Sequence, residues 1–152
     1  PSVAIGFEVT DLTGFTKALG SEMAGLLGAA DFVPLSNDVP ANQQYRAEMK
    51  SAGYTDLGGF RQDAWLAVHV FADLAAGMPA VTAPALFDLL NHTSGLKTGL
   101  TPPLQWVTGG VGGVPRVFNG CEMEVAYDKA GVATAVSGTF VDPFTNAPCP
   151  SP

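Results

Sequence analysis

Glu8 is the first residue of the sequence whose type and position could do chemistry. It closes the stretch VAIGFE, Val3 to Glu8, whose apolar residues predict a buried strand that ends in a carboxylate. In open α/β sheets, ligands lie at the carboxyl ends of the strands. A glutamate there could act as a general base, ligate a metal ion or bind a cationic group. A solvated loop carboxylate explains the same pattern, and an acid–base pair with Asp11 has no fixed geometry.

Phe60, Arg61 and Gln62 form the second group of candidate site residues. They open the longest predicted helix, about residues 60–76. The first turn of a helix binds anions readily, so this turn could line a ligand cleft. Simple helix capping is the alternative, and Asp63 in the first turn fits it well.

Cysteines and histidines give no metal-binding pattern. Cys121 and Cys149 are too few and too far apart for a paired-cysteine zinc site. They form either a disulfide that holds the proline-rich tail or two buried free thiols. His69 lies within the long helix as a packed or hydrogen-bonded core residue, and His92 closes the next helix. Dinucleotide, Walker and nucleophile-elbow motifs are missing, so we expect no metal, no cofactor and no catalytic activity.

Composition predicts one globular domain and excludes several partners. The chain has 152 residues, of which 47% are apolar and 14% charged, and its net charge is −7. Its seven Lys and Arg residues are scattered, so nucleic-acid binding lacks a basic patch. Apolar runs are too short to span a bilayer. The abrupt start at Pro1, almost inside a strand, leads us to expect a piece of a longer chain.

Hydrophobic periodicity predicts an α/β fold that ends in an antiparallel β-hairpin. The predicted order is strand 3–8, helix 9–25, a strand within 24–34, helix 40–53, helix 60–76, helix 82–95 and a hairpin over 121–140. The helix over 60–76 carries an apolar stripe and is expected to be largely buried. The stripe comprises Trp65, Val68, Phe71, Ala72 and Ala75, and it is widened by Leu66, Val70 and Leu74. Core-facing residues of the next helix are Leu86, Phe87, Leu89 and Leu90.

Four stretches of the sequence carry a further signal. They are IGFE with the following helix and AGLLGA; FVPLSNDVPANQQYRAEMKSAG; GGFRQDAWLAVHVFADLAAG; and LKTGLTPPLQW with PRVFN and the closing hairpin. Together they resemble the C-terminal portion of type I periplasmic solute-binding proteins of the branched-chain amino-acid (Leu/Ile/Val-binding) ABC transporter family. Each stretch is short, but their order and spacing match across nearly the whole chain.

The resemblance implies a partial periplasmic-binding-protein fold made of Rossmann-like lobes joined by crossovers. Residues 1–30 would be a second-lobe segment, 31–104 a first-lobe helical segment, and 105–152 the return to the second lobe with the hairpin and tail. The first strands of both lobes would lie outside this sequence. The piece would therefore need the remainder of the fold, or associate with another copy of itself.

The resemblance also implies a function. The chain would belong to an extracytoplasmic solute-binding component of an ABC transporter, periplasmic or on the cell surface and lipid-anchored in the parent protein. It would capture an amino acid or a related small polar ligand between the lobes and deliver it to a membrane permease.

Site residues follow from the same resemblance. Glu8 falls where the family holds the ligand ammonium group, and Phe60 falls where an aromatic or apolar residue contacts the ligand from the opposite lobe. Arg61 and Gln62 are adjacent candidates. Phe7 departs from the small residues common in this turn, and its bulk could narrow the cleft or redirect Glu8. The alternatives are a ligand-sensing module of the same fold that reports to a regulator, an α/β enzyme with Glu8 as its base, and a purely structural interaction module.

Overall fold

The structure is a computed structural model that describes residues 4–8, 16–58, 60–106 and 119–152. The described residues form four strands, which are β1 Ala4–Glu8, β2 Leu27–Ala30, β3 Met123–Tyr127 and β4 Ala133–Ala135. These strands make one sheet in the order β1-β2-β3-β4. The helices are α1 Thr16–Leu19, which continues into a 3-10 turn at Gly20–Met23, then α2 Pro40–Ser51, α3 Arg61–Ala76 and α4 Ala83–His92. The predicted α/β fold class with a closing antiparallel hairpin is confirmed.

The sheet mixes parallel and antiparallel pairing. β1 pairs with β2 in parallel, with an irregularity between Ile5 and Glu8, and β2 pairs with β3 in antiparallel fashion. In this register Glu8 is opposite Ala29, and Ala29 is opposite Glu124. Glu8 and Glu124 therefore lie in one row, two strands apart.

Local sequence explains the hairpin between β3 and β4. Asp128 Oδ1 accepts hydrogen bonds from the backbone N–H groups of Ala130, at 2.8 Å, and Val132, at 3.0 Å. Gly131 takes a φ of 80°, which glycine adopts without steric cost. The turn thus aligns β3, whose Met123, Val125 and Tyr127 are buried in alternation.

Two hydrophobic clusters form the core of the described residues. The first lies on the sheet and comprises Met23, Ala30, Val125, Tyr127 and Ala133. The second joins the sheet, α3 and the C-terminal tail, and comprises Phe32, Val33, Leu66, Leu100, Met123 and Phe140. Inside this second cluster, a backbone hydrogen bond of 2.7 Å from Val33 N–H to the carbonyl of Leu100 links the segment after β2 to the segment after α4.

The burial predicted for the later helices is wrong. In α3 the buried residues are Gln62 and Leu66, whereas Val68 is 65% and Phe71 44% exposed. Phe87 of α4 is 60% exposed. The apolar stripes exist as sequence patterns, but nothing in the described part of the chain covers them fully. No helix among the described residues is both long and apolar enough to cross a membrane.

Cys121 and Cys149 form a disulfide in the structure, with the two sulfur atoms 2.04 Å apart. The bond joins the segment before β3 to the C-terminal tail. Around it, Cys149 N–H donates to the carbonyl of Phe140 at 2.9 Å, and an isolated bridge pairs Glu122 with Val141. The tail is thereby held against the body of the protein rather than left loose.

Candidate functional site

Glu8 is the last residue of β1, at the carboxyl end of a strand that is parallel to its neighbour β2. Its backbone therefore stands at the type of sheet edge where α/β proteins place ligands. Asp11, its conceivable acid–base partner, lies outside the described residues.

Phe60 precedes α3 directly and its ring points outward. The residue is 77% exposed, the most exposed large apolar residue among those described. It occupies the N-cap position, yet no side chain caps the helix there. An aromatic ring this exposed has no role in the core, so it is free to contact a ligand or another protein segment.

Arg61 is held beside Phe60 by the preceding loop. Its Nη1 lies 2.7 Å from Asp56 Oδ2 and 3.4 Å from the carbonyl oxygen of Gly58. The side chain is 47% exposed and carries more N–H donors than these contacts use. The guanidinium is thus both positioned and accessible.

Gln62 faces the interior, unlike Phe60 and Arg61. It is fully buried, and its Nε2 donates to Asn42 Oδ1 at 2.9 Å and to the carbonyl of Val33 at 3.3 Å. Asn42 Nδ2 in turn donates to the carbonyls of Pro34, at 2.9 Å, and Asn37, at 3.0 Å. This network fixes the start of α3 against α2 and the segment before it. Gln62 therefore positions the turn that presents Phe60 and Arg61.

Sequence patterns did not predict a polar cluster that joins α2 and α3. Glu48 accepts hydrogen bonds from Gln44 Nε2 and Trp65 Nε1, both at 2.8 Å, and its Oε2 lies 2.9 Å from His69 Nε2. These bonds, that from Gln44 first, lower the pKa of Glu48 to about 2. The Trp65 and His69 rings are 4.1 Å apart between centroids. Gln44 and Glu48 are four residues apart on α2, and Trp65 and His69 are four residues apart on α3, so the sequence could have indicated each pair. The contact between the two helices could not be predicted from this spacing.

His69 is thus hydrogen-bonded, but to a surface carboxylate rather than within a core. Its side chain is 34% exposed. Among the residues that the structure describes, no group of three or more His, Cys, Asp or Glu side chains is placed to hold a metal ion.

A cavity with a volume of about 520 Å³ lies beside α3 and α4. Most of its walls are apolar. The residues are Phe32, Leu66, Ala67, Val70, Phe71, Leu74, Leu86, Leu90, Leu104 and Trp106, with Asp31, Asp63, Thr101 and Asn119 as polar members. Phe60 and Arg61 are not among these lining residues, whereas Asp63 of the same helix turn is one of them.

No protein-family model matches the sequence, and no curated protein matches it. Among solved structures, the chain is similar to a branched chain amino acid ABC transporter from Thermus thermophilus with bound valine. The likeness has a TM-score of 0.59 and 13% sequence identity, and it covers 91% of this chain and 37% of that chain. The chain therefore has the fold of part of a periplasmic-binding protein and spans little more than a third of the matched protein. This confirms, as to fold, the resemblance that the four stretches predicted.

Proposed function

We propose that this chain is part of an extracytoplasmic solute-binding protein of an ABC transporter. The observation that carries the proposal is the fold, which matches over 91% of the chain a transporter protein solved with bound valine. In this proposal the protein binds an amino acid or a related small polar molecule between two lobes, without chemical turnover, and delivers it to a membrane permease.

The position of Glu8 supports a role in holding the ammonium group of the ligand. The residue ends a parallel strand at a sheet edge. A carboxylate that binds an ammonium group in a closed, water-poor cleft forms a strong charge-assisted hydrogen bond. Phe60, exposed at the start of α3, would contact the ligand from the other lobe, with Arg61 beside it. Gln62 would act by positioning this turn.

Isothermal titration of the parent protein with valine, other amino acids and small amides tests the proposal. We expect binding without turnover, and we expect Glu8→Gln to weaken it by at least about tenfold, since the variant keeps the shape but loses the charge. Glu124→Gln is the matched control, because Glu124 is an exposed glutamate in the same row of the sheet. It should bind like the natural protein.

Each other outcome is informative. Binding that is unaffected by Glu8→Gln would support the receptor function but show that Glu8 does not bind the ligand. Conversion of a bound ligand, followed by NMR, would favour the enzyme with Glu8 as its base. If no amine-bearing ligand gives a heat of binding, the proposal that the protein binds amino acids is contradicted. Distinguishing a transport receptor from a sensor module of the same fold requires a pull-down of the parent protein with membrane permease or with a regulator.

A further inference from the structure

Asn119 and Gly120 form a pair that the proposed function does not use. The sequence holds five asparagines, and Asn119 is the one that glycine follows. The residues after the other four are Asp38, Gln43, His92 and Ala147. Asparagine is a labile residue, because the backbone nitrogen of the next residue can attack its side-chain amide. Glycine has no Cβ, so it leaves that nitrogen unshielded and the backbone free to bring the two groups together.

The structure leaves this pair outside regular secondary structure. Both residues lie in the segment directly before Cys121, in neither a helix nor a strand, and both are partly exposed. Among the backbone hydrogen bonds between described residues, none uses the N–H group of Gly120. A helix or a sheet would engage that group in its own hydrogen-bond pattern. The nitrogen that must attack is therefore not held by such a pattern.

The side chain of Asn119 is oriented by its neighbours. Its Oδ1 accepts a hydrogen bond of 3.0 Å from the backbone N–H of Cys121, two residues further along the chain. This donor stabilises the negative charge that Oδ1 gains when a nucleophile attacks the amide carbon. Nδ2, the nitrogen that would leave, donates to the carbonyl oxygen of Asp31 at 3.5 Å, which is longer than a usual hydrogen bond. The carbonyl side of the amide is thus held more firmly than its leaving nitrogen.

We propose that Asn119 is a site of spontaneous deamidation. The backbone nitrogen of Gly120 loses its proton to a base in the solvent and forms a bond to Cγ of Asn119. The bond between Cγ and Nδ2 breaks, and the leaving nitrogen takes up a proton from water and departs as ammonia. Water then opens the cyclic imide at either of its carbonyl carbons, which gives aspartate or isoaspartate. The reaction consumes water and involves no change of oxidation state.

The modification introduces a carboxylate beside the disulfide that holds the C-terminal tail. Asn119 lines the cavity of about 520 Å³ and also a second cavity of about 420 Å³, whose walls include Cys121, Cys149 and Asp142. The new carboxylate adds one negative charge to a chain whose net charge is already −7. Isoaspartate also routes the main chain through Cβ just before Cys121. The proposal concerns this segment and does not depend on the ligand.

Peptide mapping by mass spectrometry tests the proposal. The folded parent protein is incubated at mildly alkaline pH in heavy-oxygen water, which marks every carboxylate that forms during the incubation. Reduction and trypsin cleavage at Arg116 and Lys129 then separate Asn119 from the other four asparagines of the sequence. Chromatography distinguishes isoaspartate, which forms only through the cyclic imide, from aspartate.

Two controls accompany the measurement. Asn146 is the internal control, since it is an exposed asparagine of a loop in the same protein and precedes alanine rather than glycine. Gly120→Ala is the matched variant, because its methyl group shields the attacking nitrogen while the Asn119 side chain is kept.

We expect Asn119 to deamidate at least about tenfold faster than Asn146, with isoaspartate among the products, and Gly120→Ala to slow the reaction by at least about tenfold. A rate at Asn119 no greater than that at Asn146 would overturn the proposal, because the fold would then withhold the amide from attack. Aspartate without isoaspartate, or an unchanged rate in folded Gly120→Ala, would overturn it too. If that variant does not fold, the comparison with Asn146 decides within the natural protein.

Discussion

The carboxylate of Glu48 accepts hydrogen bonds from side chains on both α2 and α3, and this gives the protein a pH-dependent contact. Its pKa is about 2 in the folded protein, below the ordinary value of 4.5. The depressed pKa means that the contact stabilises the folded state fully above about pH 4.5 and is lost as the pH falls towards 2. Glu48 lies at the surface, so salt weakens the effect.

We therefore expect Glu48→Gln to lower the urea midpoint at pH 6 more than at pH 2.5, because the natural carboxylate is itself becoming protonated at the lower pH. The measurement is urea unfolding of both proteins across this range. Glu124→Gln, at an exposed site on β3, is the control for the loss of one surface carboxylate, and at pH 6 it should lower the urea midpoint less than Glu48→Gln does. A deficit for Glu48→Gln that is equal at both pH values would contradict the prediction.

The candidate site could be read from the sequence only in part. The strand that ends at Glu8 and the helix that begins after Phe60 follow from local patterns, and the structure places both residues there. The inward direction of Gln62 could not be read, because its partners Asn42 and Val33 are 20 and 29 residues away. Spacing along the chain shows which residues begin a helix, not which of them turn towards a distant segment.

The buried amide network between α2 and α3 gives the next prediction. Gln62→Leu leaves Asn42 Oδ1 and the carbonyl of Val33 without this donor in a buried site, and we expect a loss of about 1–3 kcal/mol in the free energy of unfolding. Urea unfolding of Gln62→Leu, Asn42→Ala and the double variant measures it. Because the two amides are mutual partners, the double variant should cost less than the sum of the single ones. Simple additivity would show that the pair does not act as a unit.

Gly28 in β2 allows the close approach of the Tyr127 ring from β3. A Cβ atom at Gly28 would lie 2.8 Å from the hydroxyl oxygen of Tyr127, whose ring is buried and cannot move aside easily. We expect Gly28→Ala to cost about 1–3 kcal/mol by overpacking. Gly77→Ala is the control, because a Cβ there meets nothing closer than 3.9 Å, and it should change stability by less than about 0.5 kcal/mol. Thermal unfolding of both variants decides the matter, and an equal effect would exclude the packing explanation.

Helix ends were predictable, whereas helix burial was not. Pro40 at the start of α2, Gly53 with its φ of 83° beyond its end, and Thr82 capping α4 all act through neighbours in sequence. The stripe on α3 was equally visible, yet Val68 and Phe71 remain exposed. An apolar pattern specifies which side of a helix is apolar, but it does not specify which distant segment, if any, packs against that side.

At the scale of the whole molecule, long-range links join segments that are far apart in sequence. The second hydrophobic cluster brings together Phe32, Leu66, Leu100 and Phe140. The disulfide between Cys121 and Cys149 then fastens the tail next to this cluster, and both cysteines pack against it. Stability of the described fold should therefore depend strongly on this one covalent link.

Removal of the disulfide is expected to lower the free energy of unfolding by about 3–4 kcal/mol in the chain-entropy model, for cysteines separated by 28 residues. For a chain of this size such a loss corresponds to a decrease in Tm of roughly 10 °C. Thermal unfolding with and without reductant measures it. A Cys121→Ala, Cys149→Ala variant is the control, and its Tm should be low and indifferent to reductant. Because reduction releases the tail from the second hydrophobic cluster, an unchanged Tm for the natural protein would mean that packing around Phe140 holds the tail without the covalent bond.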